Sequence, residues 1–312
     1  MSKAEIVHRL REQVRRATDS ARFSAGRIGD ADPELDDVIA RYDSSLKRYL
    51  QEGPARRFYA SVSDRDAIAV LIERQFPEWW ENAVQLADAA CGHKVNLFGN
   101  SQVALGDRID WHRDPVSGFQ WPVRFWGSYD LVHRPAADAK VIHELNRHQH
   151  LPRLAKAYFL TGYEAYAREL VAQLDGWIDQ NPKWAGINWQ SSLELAIRSI
   201  SWLWAIFLLL PSPSLDEQVL RQIMKSLLAQ IDQIYRYPSV YTSPNTHLIG
   251  EAAALWIAGV LFEELPRAEA WRTFGAATLR NELERQFLSD GLHCELSSYY
   301  HCYAADFYLL VL

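Results

Sequence analysis

Apolar residues recur at helical spacing along most of the chain, and the breakers between them divide it into segments. In the first part the pattern runs over Ile6–Val14, Asp36–Leu50 and Ala67–Glu73, among many charged residues. It predicts a helical N-terminal lead-in over residues 1–90. Residues 92–135 interrupt it. That stretch is rich in Gly, Pro, Asp and Trp and has few long periodic runs, which predicts loops and short strands.

From Asp138 the helical period returns and holds almost to the end. Val141, Ile142, Leu145, Leu151, Leu154, Ala155 and Tyr158 form the first apolar face. Pro152 either opens a helix there or separates two segments. Thr161-Gly162 is a stop. A helix over 164–179 ends before Asn181-Pro182, and one over 191–210 ends at Pro211 and Pro213. Further helices are predicted over 215–235, over 246–262 with Asn245 or Thr246 as its cap, and over 268–287 before Asp290-Gly291. A last one begins near Ser297. No strand signal intervenes, so the fold class is all-α. Antiparallel hairpins of this kind bundle, stack as a solenoid or close into a toroid, and period alone does not choose. The sequence closes on AADFYLLVL, an apolar helical run without a polar tail. Termini are usually polar and frayed, so the expectation is the first part of a longer protein.

Composition narrows the function classes. The 312 residues are 48% hydrophobic and 23% charged, ordinary for a globular protein. The charge, 33 basic minus 39 acidic, is −6, which weighs against a nucleic-acid partner and makes any anion site local. Twelve Trp and 14 Tyr either pack a core or stack on sugar rings. Cys91, Cys294 and Cys302 make no disulfide framework. The N-terminal residues contain no apolar secretory core. The longest apolar run, Trp202–Leu210, is about half of a membrane span. The expectation is a cytoplasmic protein with no membrane insertion.

Four clusters hold polar groups that a core would not require. In 143–150, His143 and Arg147 are four apart, as are Glu144 and His148, so they share helix faces. A metal reading lacks the HExxH order, leaving a solvated face or the wall of a cleft. In 188–198, Glu194 and Arg198 are also four apart, but Arg198 lies on a strongly apolar helix near Trp202. It is either paired or facing a ligand. In 243–251, Asn245 suits a helix cap, and His247 would sit in a first turn that favours anions. In 290–302, a zinc reading of Cys294 and Cys302 with His293 and His301 fits no common spacing. A Tyr beside His301 is a candidate acid or base.

Together these stretches resemble the heparinase II/III-type polysaccharide lyases, near the alginate-lyase-like members. The resemblance is carried by WHRDPVSGFQWP (111–122), HELNRHQHLPRLAKAYFLTGYEAYA (143–167), WIDQNP (177–182), NWQSSLELAIRSISW (188–202), SPNTHLIGEA (243–252) and DGLHCELSSYYH (290–301). It covers roughly residues 90–312. It implies an incomplete (α/α) toroid of antiparallel hairpins over 91–312, with a β-sandwich domain following in the family. It implies β-elimination on a uronate-containing polysaccharide, leaving a 4,5-unsaturated sugar.

That chemistry needs the C5 acidity raised by neutralising the adjacent carboxylate, a base for the C5 proton and an acid for the leaving O4. By match to the family motifs, Asn245 or His247 would touch the carboxylate. His247 would be the base for one C5 configuration. Tyr300 would protonate O4, and would do both jobs when proton and leaving group are syn. Tyr299 is adjacent, so a one-residue slip moves the acid. Asn245 and Thr246 share the same ambiguity of register. Arg147, His148 and Arg198 would bind substrate charge and hydroxyls, Trp189 would be a stacking wall, Glu295 an orienting group, and His301 and Tyr299 further contacts. The implied partner is an acidic polysaccharide, with the oligomeric state open. No cofactor or metal is implied for this stretch; a metal in the following part stays open. Family resemblance also allows the periplasm. A toroidal glycoside hydrolase is the rival enzyme, although no two carboxylates pair obviously. A non-catalytic sugar-binding fragment is the other alternative.

Overall fold

The computed structural model describes residues 1–29, 32–59, 64–131 and 137–312. Five helices come first: α1 (Lys3–Ser24), α2 (Pro33–Ala40), α3 (Leu46–Glu52), α4 (Arg65–Gln75) and α5 (Pro77–Cys91). The expected helix over 36–50 is two helices. Asp43 and Ser44 lie at φ 52° and 60°, which no α-helix accommodates, and Ser45 then caps α3 by accepting the Arg48 N–H at 3.2 Å. A two-stranded antiparallel hairpin, β1 (Lys94–Leu97) and β2 (Asn100–Ala104), opens the irregular segment. The end of that segment, 132–135, lies outside the described residues.

The helical remainder follows the hydrophobic pattern closely. It comprises α6 (Lys140–Asn146), α7 (Leu151–Thr161), α8 (Glu164–Gln180), α9 (Ser192–Leu209), α10 (Glu217–Arg236), α11 (Thr246–Leu261), α12 (Ala268–Gln286) and α13 (Ser298–Leu309). Pro152 sits in the first turn of α7, where its missing N–H costs nothing. Gly162 ends α7 in the left-handed conformation at φ 71°. Asp216 caps α10 through the Val219 N–H at 2.9 Å.

The helices form a two-layered arc of antiparallel hairpins, the incomplete toroid expected. Helices α5, α7, α9, α11 and α13 lie side by side, and α8, α10 and α12 pack behind them. Helix α9 is long and apolar enough to cross a membrane by composition alone, yet 89% of it is buried inside the protein. It is a core helix, covered on both faces. Helices α11 and α12 approach most closely. A Cβ on Gly259 would come within 2.6 Å of the Arg272 backbone N, and one on Gly275 within 2.7 Å of the Ala252 carbonyl. Only hydrogen fits in either place.

Arg198 lies at the centre of α9 with no exposure. Its guanidinium donates to Gln230 Oε1 at 2.7 Å, to the Asn146 carbonyl at 3.0 Å and to the Asn188 carbonyl at 2.7 Å. It stacks 4.5 Å above the Trp177 ring. One side chain thus ties α6, the 187–189 turn, α8 and α10 to α9. The Gly259 contact yields a direct expectation. Gly259→Ala forces backbone against backbone and destabilises the fold by about 2 kcal/mol, read as a lowered midpoint in thermal unfolding followed by circular dichroism. An unchanged midpoint would mean that α11 and α12 are not in contact at this glycine.

Candidate active site

A cleft of about 690 Å³ opens where the start of α9, the start of α11 and the start of α13 meet α6 and the loops at 126–129 and 237–245. Local sequence sets each contributor. Asn245 caps α11, its Oδ1 accepting the His247 N–H at 3.2 Å. This brings Asn245 and His247 to the cleft on the positive end of a 16-residue helix. Ser297 caps α13, which places Tyr299, Tyr300 and Tyr303 along the same wall. Tyr299 stacks on Tyr303, one turn on, with centroids 6.0 Å apart. Buried Glu251 accepts the Ser239 N–H at 2.7 Å and its hydroxyl at 2.6 Å, pinning the 237–245 loop to α11. Burial pushes that carboxyl up to about 8, against the pull of the two Ser239 bonds.

Arg147 stands at the end of α6 between two carboxylates. Its Nε and Nη2 donate to Glu194 at 2.6 and 3.1 Å, and its Nη1 to Glu144 at 2.5 Å. Burial raises the Glu194 carboxyl, but the hydrogen bonds and charge of Arg147 outweigh this and hold it below the ordinary value. Glu144 lies the other way, raised chiefly by burial despite Arg147. His143 and His247 both line the cleft, and burial lowers both imidazoles in spite of the nearby Glu194 charge. Both are therefore neutral at pH 7. A neutral imidazole can accept a proton, and the phenols beside it can donate one. Glu295 accepts from the Thr246 hydroxyl and, at 3.3 Å, from its N–H, so it orients the start of α11. Among the described residues no group of three or more His, Cys, Asp or Glu could hold a metal ion.

The structure thus gathers Asn245, His247, Tyr299, Tyr300, Arg147 and Glu295 on one cleft. It removes three expected substrate contacts. Arg198 and His148 are wholly buried, and Trp189 is 1% exposed. Arg198 is spent on backbone carbonyls, as above. His148 accepts the Trp202 Nε1–H at 2.8 Å, and Trp189 donates to the Asn181 carbonyl at 3.3 Å. A polysaccharide cannot reach them. His301 packs on Phe287, with ring centroids 5.9 Å apart, and does not line the cleft. Among the lining residues that escaped selection from the sequence are Tyr303, Glu12 and Arg16, while His143 was read only within a cluster that could form a cleft wall. Tyr303 was signalled by its place one helical turn beyond Tyr299. Nothing local marks Glu12 and Arg16, which arrive from α1.

The profile of the heparinase II/III N-terminus matches residues 41–312. The chain belongs to the heparinase II/III family. The match begins inside the segment read as a lead-in. Among relatives in the heparinase II/III family, the chain is 31% identical over 232 residues to a heparin-sulfate lyase of Pedobacter heparinus, covering 72% of this chain and 31% of that protein. It is 34% identical over 171 residues to one of Bacteroides thetaiotaomicron, covering 53% of this chain and 24% of the relative. The crystal structure of a heparan sulfate lyase from Pedobacter heparinus superimposes with a TM-score of 0.61 at 23% identity, over 89% of this chain and 41% of that one. A mutant of that enzyme gives 0.55 at 26% identity, over 73% and 33%. The chain thus spans about a third of the length of the curated heparinase II/III relatives.

The coupling of His247 to Glu194 has a measurable sign. Glu194 favours the imidazolium, so Glu194→Gln removes a stabilising charge and lowers the His247 pKa further. NMR titration of the ring protons reads this directly. A rise would mean that Glu194 does not face His247.

Proposed function

We propose that the cleft cleaves a uronate-containing polysaccharide by β-elimination. The observation that carries the reading is the meeting, on one wall system, of a neutral imidazole, a capping amide on a helix N-terminus and exposed phenols. Asn245 donates a hydrogen bond to the uronate carboxylate, helped by the α11 dipole, and so stabilises the negative charge that spreads from C5 into it. Where the C5 proton is anti to O4, His247 takes it and Tyr300 protonates the departing O4. Where it is syn, Tyr300 takes it and returns a proton to the departing O4. The C4–O4 bond breaks as the C4–C5 double bond forms, so no water is consumed. Arg147, with its charge matched by Glu144 and Glu194, holds the cleft wall in place more than it attracts an anion. The names of the relatives make glycosaminoglycans of the heparan type the first substrates to test.

A hydrolytic reading finds less support. The carboxylates that line the cleft are each engaged, Glu194 by Arg147, Glu12 by Arg16 and Glu295 by Thr246, which leaves none free to activate water.

The test is ultraviolet absorbance of the conjugated product on a panel of heparan sulfate, heparosan, hyaluronan, alginate and polyglucuronate. Absorbance rises with at least one polymer, and Tyr300→Phe reduces the rate by about 100-fold or more while Tyr299→Phe has a smaller effect. Silence on the whole panel contradicts the reading, and a dominant loss in Tyr299→Phe moves the acid by one residue. On polymers whose C5 proton is anti, activity falls with decreasing pH as His247 is protonated. Because burial depresses that pKa, the acid limb lies below the ordinary imidazole value. An acid limb above that value would exclude His247 as the base.

A further inference from the structure

Helix α1 lies wholly before residue 41, where the family match begins, yet it supplies part of the cleft wall. It is fastened there by buried contacts. Asp19, 1% exposed, accepts from Arg236 Nη2 at 2.8 and 2.7 Å and from the Tyr237 hydroxyl at 2.7 Å. Arg9 donates to the Tyr241 carbonyl at 3.1 Å, and the Phe23 ring meets Phe125 at 5.5 Å.

From this anchored helix Glu12 and Arg16 reach the cleft. The Arg16 guanidinium stands 5.2 Å over the Trp126 ring and donates to Glu12 Oε1 at 2.7 Å. Its stem lies against Gly127. A Cβ there would come within 3.0 Å of Arg16 Cδ, so the glycine makes the seat. The Trp126 ring is almost fully buried, and its Nε1–H has no acceptor among the described residues. Arg16 differs from Arg147 in one decisive respect. Among the described residues Arg147 is bridged by two carboxylates, whereas Arg16 pairs with Glu12 alone and its side chain is 44% exposed. It is the cleft arginine with donors to spare. An arginine held over an indole, with further N–H groups at a cleft, suits an anionic group carried on a sugar ring.

We propose that α1 adds an anionic-sugar subsite to the cleft, in which Arg16, seated over Trp126 and Gly127, takes a carboxylate or sulfate of the polymer. Glu12 competes with that anion for the guanidinium and keeps Arg16 in register when the cleft is empty. The proposal rests on the cleft being the polysaccharide site.

The experiment is calorimetric titration of the full chain, in a Tyr300→Phe background that slows turnover, with an unsulfated heparosan hexasaccharide and its N-sulfated counterpart. Arg16→Ala weakens binding about five- to ten-fold, consistent with one partly exposed charge-assisted contact. Glu12→Gln, which removes the competing carboxylate, tightens it about two- to three-fold. Opposite signs from neighbouring residues separate a subsite from simple damage to α1, whose anchor at Asp19 is untouched. A larger Arg16 effect on the sulfated oligomer assigns the contact to sulfate, and equal effects assign it to carboxylate. Arg16→Ala binding as tightly as its parent, or Glu12→Gln binding more weakly, overturns the subsite and leaves the lyase reading standing. A parent protein that binds neither oligomer overturns both.

Discussion

The fold turns on a guanidinium withdrawn from water. Burying Arg198 without partners would be prohibitive, so its donors must all be met inside the protein. They are met by the carbonyls that end α6 and form the 187–189 turn, by Gln230 of α10, and by the face of Trp177. Each partner belongs to a different part of the chain, and satisfying them together fixes where those parts sit. One turn earlier on the same face of α9, Glu194 grips Arg147 at the end of α6. The same two helices are therefore clamped twice, once in the core and once at the cleft. Losing Arg198 would leave buried carbonyls unpaired and loosen the wall that Arg147 completes.

The cleft inherits its chemistry from that frame. Helix starts converge on it, so Asn245, which caps α11, and Ser191, which precedes α9, are also lining residues. Burial makes the two cleft imidazoles neutral, while the nearby carboxylates are committed to Arg147 or to the α11 cap. What stays uncommitted is a proton acceptor, a row of phenols and an amide. Those groups suit moving a proton between carbon and oxygen better than activating water.

Much of this was legible in the sequence, and the part that was not has a physical cause. Helices α8 to α13 begin and end within a residue or two of where Gly, Pro and Asn punctuate the pattern, because those residues act locally. The break between α2 and α3 was hidden, since nothing in Asp43-Ser44 demands positive φ until Ser45 caps the next helix. Asn245, His247, Tyr299 and Tyr300 were found because the short motifs that resemble the family, and the Asn245 cap, are local in the sequence. Arg198, His148 and Trp189 misled for the opposite reason. A polar or aromatic side chain looks alike in the sequence whether its partner is a ligand or another protein group, and here the partners come from other parts of the chain. Arg16 was invisible on the same grounds, as its neighbours Trp126 and Gly127 lie over a hundred residues away.

The central claim is that this cleft breaks a glycosidic bond without water. Digestion in heavy-oxygen water, followed by mass spectrometry of the oligosaccharides, tests it most directly. Elimination predicts fragments that carry no heavy oxygen at either new end and a non-reducing sugar lighter by one water than its hydrolytic equivalent. Incorporation of heavy oxygen at the new reducing end, with no loss of water, would contradict the account and make the protein a hydrolase.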